Sequence, residues 1–225
     1  LAAGPAAIAT LEAQSEVRLR PYRLHPDYMQ EIPGATLRGR ALEPLPFDGR
    51  RLGAAFALLR PPIPEFTVLG GMMVDRTDIA ALLNATGSAT ALRHALALLG
   101  RHALDRLGHP RGTRLVMGNA LAGRLLASLL ARRVPIATNT ELLELRRDRT
   151  VLLHQNDHTR RLTARRGVVL ASGGFARHPA RRAAWLRDVP QGHSPTAPGH
   201  AGAAQALALA LGATYAPQGL EHAYW

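Results

Sequence analysis

Arg166-Gly-Val-Val-Leu-Ala-Ser-Gly-Gly174 is the stretch whose reading decides the fold. A short apolar run ends in two small residues and a glycine pair. A parallel strand buried on both faces reads this way, because no position along it meets water. Glycines just past its end let a ligand or a phosphate come close to the backbone. In open α/β sheets, ligands bind outside the carboxyl ends of strands. The stretch therefore reads as a strand that delivers a backbone loop to a ligand. The competing reading is a buried strand followed by an ordinary turn.

Working outward, residues 179–186 and 199–211 have helical patterns, and Gly212 is a stop signal for the second. Upstream, residues 136–145 and 150–155 read as strands. Asn156-Asp157-His158 is a turn, and residues 160–164 return as a third strand. This small meander feeds the run at 167–171. Residues 121–132 form an amphipathic helix. Residues 77–107 are helical with a break near Gly87, and Thr77-Asp78 is a candidate N-cap pair. Residues 25–64 are rich in Pro and Gly and have no period. So long an aperiodic segment suggests a lid or a wrap over a partner domain. Residues 5–16 are helical, with Ile8 and Leu11 on one face, and residues 17–22 are extended. The fold class expected is α/β with α+β elements.

The composition is 47% hydrophobic and holds no cysteine, which excludes disulfides and thiolate metal sites. No apolar run is long enough to span a membrane, no signal peptide is visible, and a cytoplasmic location is expected. The net charge of +12 rests on arginine alone, since lysine is absent. That bias points to a GC-rich, bacterial-type coding sequence. The arginines are scattered without interleaved aromatics, so nucleic acid is not the expected partner. No His/Asp/Glu spacing fits a metal. No Gly-x-Ser-x-Gly elbow is present either.

Four stretches together resemble one family, the flavoproteins of the fumarate reductase and 3-ketosteroid dehydrogenase type. Arg111-Gly-Thr-Arg-Leu-Val-Met-Gly-Asn-Ala-Leu121 resembles the loop and helix before the adenine-side strand. Ile136-Ala-Thr-Asn-Thr-Glu-Leu-Leu-Glu-Leu145 resembles that strand. Gly167-Val-Val-Leu-Ala-Ser-Gly-Gly-Phe175 resembles the hallmark Ala-Thr-Gly-Gly-Phe, with Ser172 in place of threonine. Ala197-Pro-Gly-His-Ala-Gly-Ala-Ala204 resembles a Thr-Gly-Asp-Gly helix start, with Ala203 where an acidic residue is usual. The resemblance implies FAD as cofactor, held by Gly118, Asn119, Thr140, Glu141, Leu142, Ala171, Ser172, Gly173 and Gly174. It implies the middle segment of a split, Rossmann-like FAD-binding domain over residues 111–176. Parts of a substrate or cap domain would lie at 1–110 and 177–225.

Two further stretches favour the ketosteroid branch. Phe66-Thr-Val-Leu-Gly-Gly-Met-Met73 resembles its glycine-pair loop. Asp27-Tyr-Met-Gln-Glu-Ile-Pro-Gly34 resembles a segment in which a tyrosine lines the active site. Tyr28 and Tyr224 are thus the implied catalytic residues, and a steroid-like or other enone or carbonyl compound is the implied substrate. A phenol can donate to a carbonyl oxygen or accept the proton beside it. The alternative for both is a packing aromatic. His193 and His200 lie in a Gly/Pro loop, where they serve acid–base work or simply face solvent.

The Gly-x-Gly-x-x-Gly fingerprint of the family's first strand is missing from these residues. The chain is therefore expected to be an internal segment of a longer flavin-dependent oxidoreductase, with the remainder of that chain as its partner. Alone it is expected to be inactive and to hold FAD weakly or not at all. A fumarate reductase-like activity and a non-catalytic remnant are the alternatives.

Overall fold

The structure, a computed structural model, describes residues 2–186, 194 and 196–214. Two compact units part after Pro135: Leu1–Pro135 and Ile136–Trp225. This boundary differs from the limits at 110/111 and 176/177 that the family resemblance implies. Among the described residues no helix is long and apolar enough to cross a membrane.

The first unit begins with α1 (Gly4–Gln14), which has Pro5 in its first turn, where no intrahelical N–H is missed. β1 (Leu19–Pro21) pairs antiparallel with β2 (Leu42–Pro44). β3 (Phe47–Asp48) leads into a 3₁₀ run at Gly49–Leu58, capped by the Asp48 side chain and kinked at Gly53. β4 (Thr67–Val68) and β5 (Met72–Met73) form a short hairpin around Leu69-Gly70-Gly71. α2 (Arg76–Leu83) and α3 (Ala89–Gly108) follow. β6 (Arg114–Leu115) returns to pair with β3, and α4 (Met117–Ala131) closes the unit.

Phe47, Leu52, Phe56, Met73, Leu115, Val116, Ala120 and Leu126 make its main core. Arg124 on α4 is buried beside it and donates to the carbonyls of Glu16, Leu45 and Pro46. One guanidinium thus satisfies three backbone acceptors that no strand or helix would pair.

Two expectations are corrected here. Residues 25–64 are not structureless: they hold β2, β3 and the 3₁₀ run. Their partners are distant in sequence, as Phe47↔Leu115 is, so no local period betrays them. The cap of α2 is Asp75, not Thr77-Asp78. Asp75 accepts from the N–H groups of Thr77 and Asp78, and the Asp78 carboxylate accepts from Asp75 N–H. This is a reciprocal capping box, in which the acid three residues into the helix answers the cap.

The second unit holds the expected meander. β7 (Thr140–Leu145), β8 (Thr150–Gln155) and β9 (His158–Thr163) are antiparallel, in the order β7-β8-β9. Asn156 and Asp157 both have positive φ, the demand of a two-residue hairpin turn. The first strand begins at Thr140 rather than residue 136, because Asn139 has φ +51° and cannot extend it. α5 (Pro179–Trp185) and α6 (Ala203–Ala210) follow, and Gly212 at φ +90° ends the latter as expected.

The central expectation fails in one respect. Residues 167–171 are not a strand, and Val169 is 90% exposed. Every strand pair among the described residues is antiparallel, and none includes this run. An apolar run becomes a strand only when neighbours take its N–H and C=O groups. Among the described residues no strand takes up these groups, so 138–142 and 171–174 do not share a sheet edge.

Candidate cofactor turn and substrate loops

The glycine turn is held from behind by the loop that starts α6. Gly173 has φ +90°, a conformation that suits only glycine. The N–H of Gly202 donates to the Gly174 carbonyl at 3.0 Å. Arg177 N–H donates to His200 O at 2.9 Å, and the Arg177 guanidinium donates to the carbonyls of Ser194 and Thr196. Arg181 Nη1 donates to Gly202 O at 3.0 Å.

The two glycines of the turn differ in their surroundings. A Cβ on Gly173 would lie 2.8 Å from the imidazole of His200, so that side is already filled. A Cβ on Gly174 would meet nothing within 4 Å. The open approach to the backbone is therefore at Gly174. Ala171 and Ser172 are exposed beside it.

Thr140, Glu141 and Leu142 begin β7. Thr140 Oγ1 and Gln155 Nε2 both donate to the Thr138 carbonyl, which fixes the strand's entry. Glu141 is exposed, and Leu142 pairs with Leu153. Gly118 and Asn119 stand in the first turn of α4, in the first unit. They line a cavity of about 420 Å³ with Pro61, Pro62, Ile63 and Phe66. The residue before them, Met117, holds φ +50°, a strained value for a side chain of its size.

Tyr28 is 98% exposed. Its loop is tied behind it: Asp27 Oδ2 accepts from Thr36 N–H at 2.9 Å and pairs with Arg40 at 3.1 Å. The phenol is therefore presented outward and packs on nothing in its unit. Tyr224 and His193 lie outside the described residues.

Sequence reasoning missed the residues that shape the glycine-pair loop. Leu69, Gly70 and Gly71 have φ of +49°, +69° and +117°. Their carbonyls are taken in turn by His102 Nε2, Arg106 Nη1 and the Gly112 N–H. His102 and Arg106 are one helical turn apart on α3, so they meet neighbouring points of the loop. That spacing was the available signal. Arg111 is buried beside the loop, with its Cβ 3.1 Å from where a Cβ on Gly71 would stand.

The whole chain, residues 1–225, matches the family described as FAD binding domain. The chain belongs to the FAD-binding domain family. It is 29% identical, over 214 residues, to 4-oxocyclohex-2-ene-1-carboxylate 5-dehydrogenase of Sinomonas cyclohexanicum; the match covers 92% of this chain and 36% of that protein. It is 29% identical, over 181 residues, to 3-oxosteroid 1-dehydrogenase of Comamonas testosteroni, covering 74% of this chain and 31% of that one.

Among solved structures it is similar to 3-ketosteroid delta1-dehydrogenase from Sterolibacterium denitrificans in complex with 1,4-androstadiene-3,17-dione. The identity there is 31% and the TM-score 0.79, over 94% of this chain and 40% of that chain. The FAD-binding domain chain thus spans about a third of the length of its curated relatives. The relatives and the solved structure named above are all dehydrogenases.

Proposed function

We propose that this chain is part of an FAD-dependent dehydrogenase that desaturates a carbon–carbon bond next to a ring carbonyl, as a 3-ketosteroid dehydrogenase does. The observation that supports this reading best is the 31% identity and TM-score of 0.79 to such an enzyme across 94% of the chain. The substrates named for its relatives, 3-oxosteroids and a 4-oxocyclohexene carboxylate, share a six-membered ring with a ketone. The proposed substrate is therefore a cyclic ketone or enone.

The residues fit a flavin where they are described. Gly174 leaves its backbone open, and Gly173 gives the turn its left-handed step. Gly118, Asn119, Thr140, Glu141, Leu142, Ala171, Ser172, Gly173 and Gly174 are the residues proposed to contact the cofactor. The Ala203 position brings no carboxylate to this task. In functional terms residues 111–176 would be the middle of a split Rossmann-like domain. Residues 1–110 and 177–225 would belong to the substrate side. The remainder of the flavin site, with its Gly-x-Gly-x-x-Gly loop, would come from sequence beyond these 225 residues. The proposed setting is the reducing cytoplasm, compatible with a chain that holds no cysteine.

Bound FAD supplies the acceptor for the electron pair. The chain's own residues orient the substrate and move its proton. Tyr28, whose phenol is unencumbered, would meet the ring ketone, donating its O–H to the carbonyl oxygen or taking the proton from the adjacent carbon. Tyr224 would take the other of these two tasks.

The test is a protein of the relatives' full length that carries this segment. It should purify yellow and reduce an artificial electron acceptor when given a 3-keto steroid or a cyclohexenone carboxylate. A colourless protein would favour the non-catalytic reading. A yellow protein inert toward both ring ketones would overturn the substrate assignment alone.

A further inference from the structure

A cavity of about 870 Å³ lies in the first unit beside the Gly70-Gly71 loop. Its walls are mainly apolar, with Phe56, Leu59, Pro61, Pro62 and Pro64, and His109 and Thr67 add two polar side chains. No acidic residue lines it. Arg111 does, and Arg111 is only 9% exposed. Its guanidinium stands 4.3 Å from the centroid of the Phe56 ring. Nη2 donates to the Leu59 carbonyl at 3.0 Å, and Nη1 is buried without a hydrogen-bond partner.

A buried cation with a free N–H is costly, and a methionine of similar length would fill the space without that cost. Among the described residues no carboxylate lies within ion-pair distance of Arg111. Burial alone pushes its pKa down, with no opposite charge to hold it up. Yet the backbone is shaped around it. Gly71 has φ +117°, and a Cβ there would come within 3.1 Å of the Arg111 Cβ. His102 and Arg106 pin that loop in place. A charge without a carboxylate partner, in a mainly apolar cavity with few polar groups, is the mark of a binding group rather than of a packing one.

We propose that this cavity binds an apolar ring compound carrying a carboxylate, with Arg111 as the partner of the carboxylate. The ring packs on Phe56 and the proline walls, and one carboxylate oxygen accepts from Nη1. Nη1 is shut off from water in the free chain, so binding includes a small turn of the guanidinium toward the cavity. Flavin binding has no part in this assignment, which is therefore testable on the chain by itself.

The probes are naphthoate and its neutral methyl ester, titrated against the 225-residue chain and its R111M and R111K variants. Ligand fluorescence reads binding, and thermal melting reads the fold. Naphthoate should bind the parent saturably and raise its melting temperature. R111M should weaken naphthoate about tenfold or more, the scale of one charge-assisted hydrogen bond, and leave the ester unchanged. R111K should retain most of the naphthoate binding. Without ligand, R111M should still fold: relief of the buried charge offsets loss of the hydrogen bond to the Leu59 carbonyl and of the contact with Phe56. Equal naphthoate binding by parent and R111M, or binding by neither, would overturn the proposal. So would loss of the fold in R111M, since that makes Arg111 a structural strut.

Discussion

Gly173 and Gly174 are neighbours with different duties. Gly173 is glycine because its φ is +90° and because His200 fills the space where a side chain would go. Gly174 has a negative φ, and a Cβ there would meet nothing within 4 Å. The substitution G173A should therefore destabilise the second unit by about 1–3 kcal/mol, the usual cost of forcing such backbone. Removing the ring with H200A should recover part of that loss. G174A should leave thermal melting unchanged and lower the flavin content of the full-length protein, because it narrows the approach to the backbone. Full flavin occupancy in G174A would refute the cofactor assignment of this turn.

Tyr28 carries the other residue-scale prediction. At 98% exposure its hydroxyl contributes nothing to packing, so Y28F should melt with the parent. In the full-length protein kcat on a 3-keto substrate should fall by about 10²–10⁴-fold, the range of general acid–base catalysis, at constant flavin content. Turnover at the parental rate would remove Tyr28 from the chemistry.

At the scale of elements, the capping box of α2 couples the fold to pH. Burial opposes ionisation of Asp75, but the Asp78 N–H, the Arg114 guanidinium and the Thr77 N–H outweigh it. The carboxyl is held below the ordinary carboxylate range. A group depressed in the folded state stabilises fully above its unfolded pKa, about 3.9 for Asp, and loses that contribution as pH falls through the folded value. D75A should thus cost about 1 kcal/mol at neutral pH, by loss of the cap. Its stability curve should converge on the parent's as the pH is lowered below about 4. Urea titrations of both proteins by circular dichroism would show it; a difference that stays constant into acid would sink the linkage.

The elements that the sequence made legible are those whose signals are local. The three-stranded meander is marked by Asn156-Asp157, and the helices by their periods and by Gly212. Those that escaped depend on distant partners. β3 exists because Phe47 meets Leu115, and nothing near Phe47 announces it. The run at 167–171 shows the converse: its apolar pattern is that of a strand, but a pattern does not supply neighbours.

At the scale of the whole molecule, the same contrast governs the cofactor. The family was legible because its motifs are short and contiguous, as in Ala171-Ser172-Gly173-Gly174. The site was legible only in part. Its glycines could be read, but the hands behind them could not: His200, Arg177 and Gly202 at the turn, His102 and Arg106 at Gly70-Gly71. A pyrophosphate is normally held by the N-terminus of a helix after a Gly-x-Gly-x-x-Gly loop, where backbone N–H groups and the helix dipole converge. These 225 residues contain no such loop, and no parallel strand pair among the described residues brings a helix start to the Ser172–Gly174 turn. The 225-residue chain should therefore bind FAD far more weakly than a full-length relative does. Flavin fluorescence quenching on titration of the purified chain measures this directly. The expected result is no saturation in the micromolar range; a submicromolar dissociation constant would mean that the chain builds its own pyrophosphate site, and α4, with Gly118 and Asn119 in its first turn, would be the place to look for it.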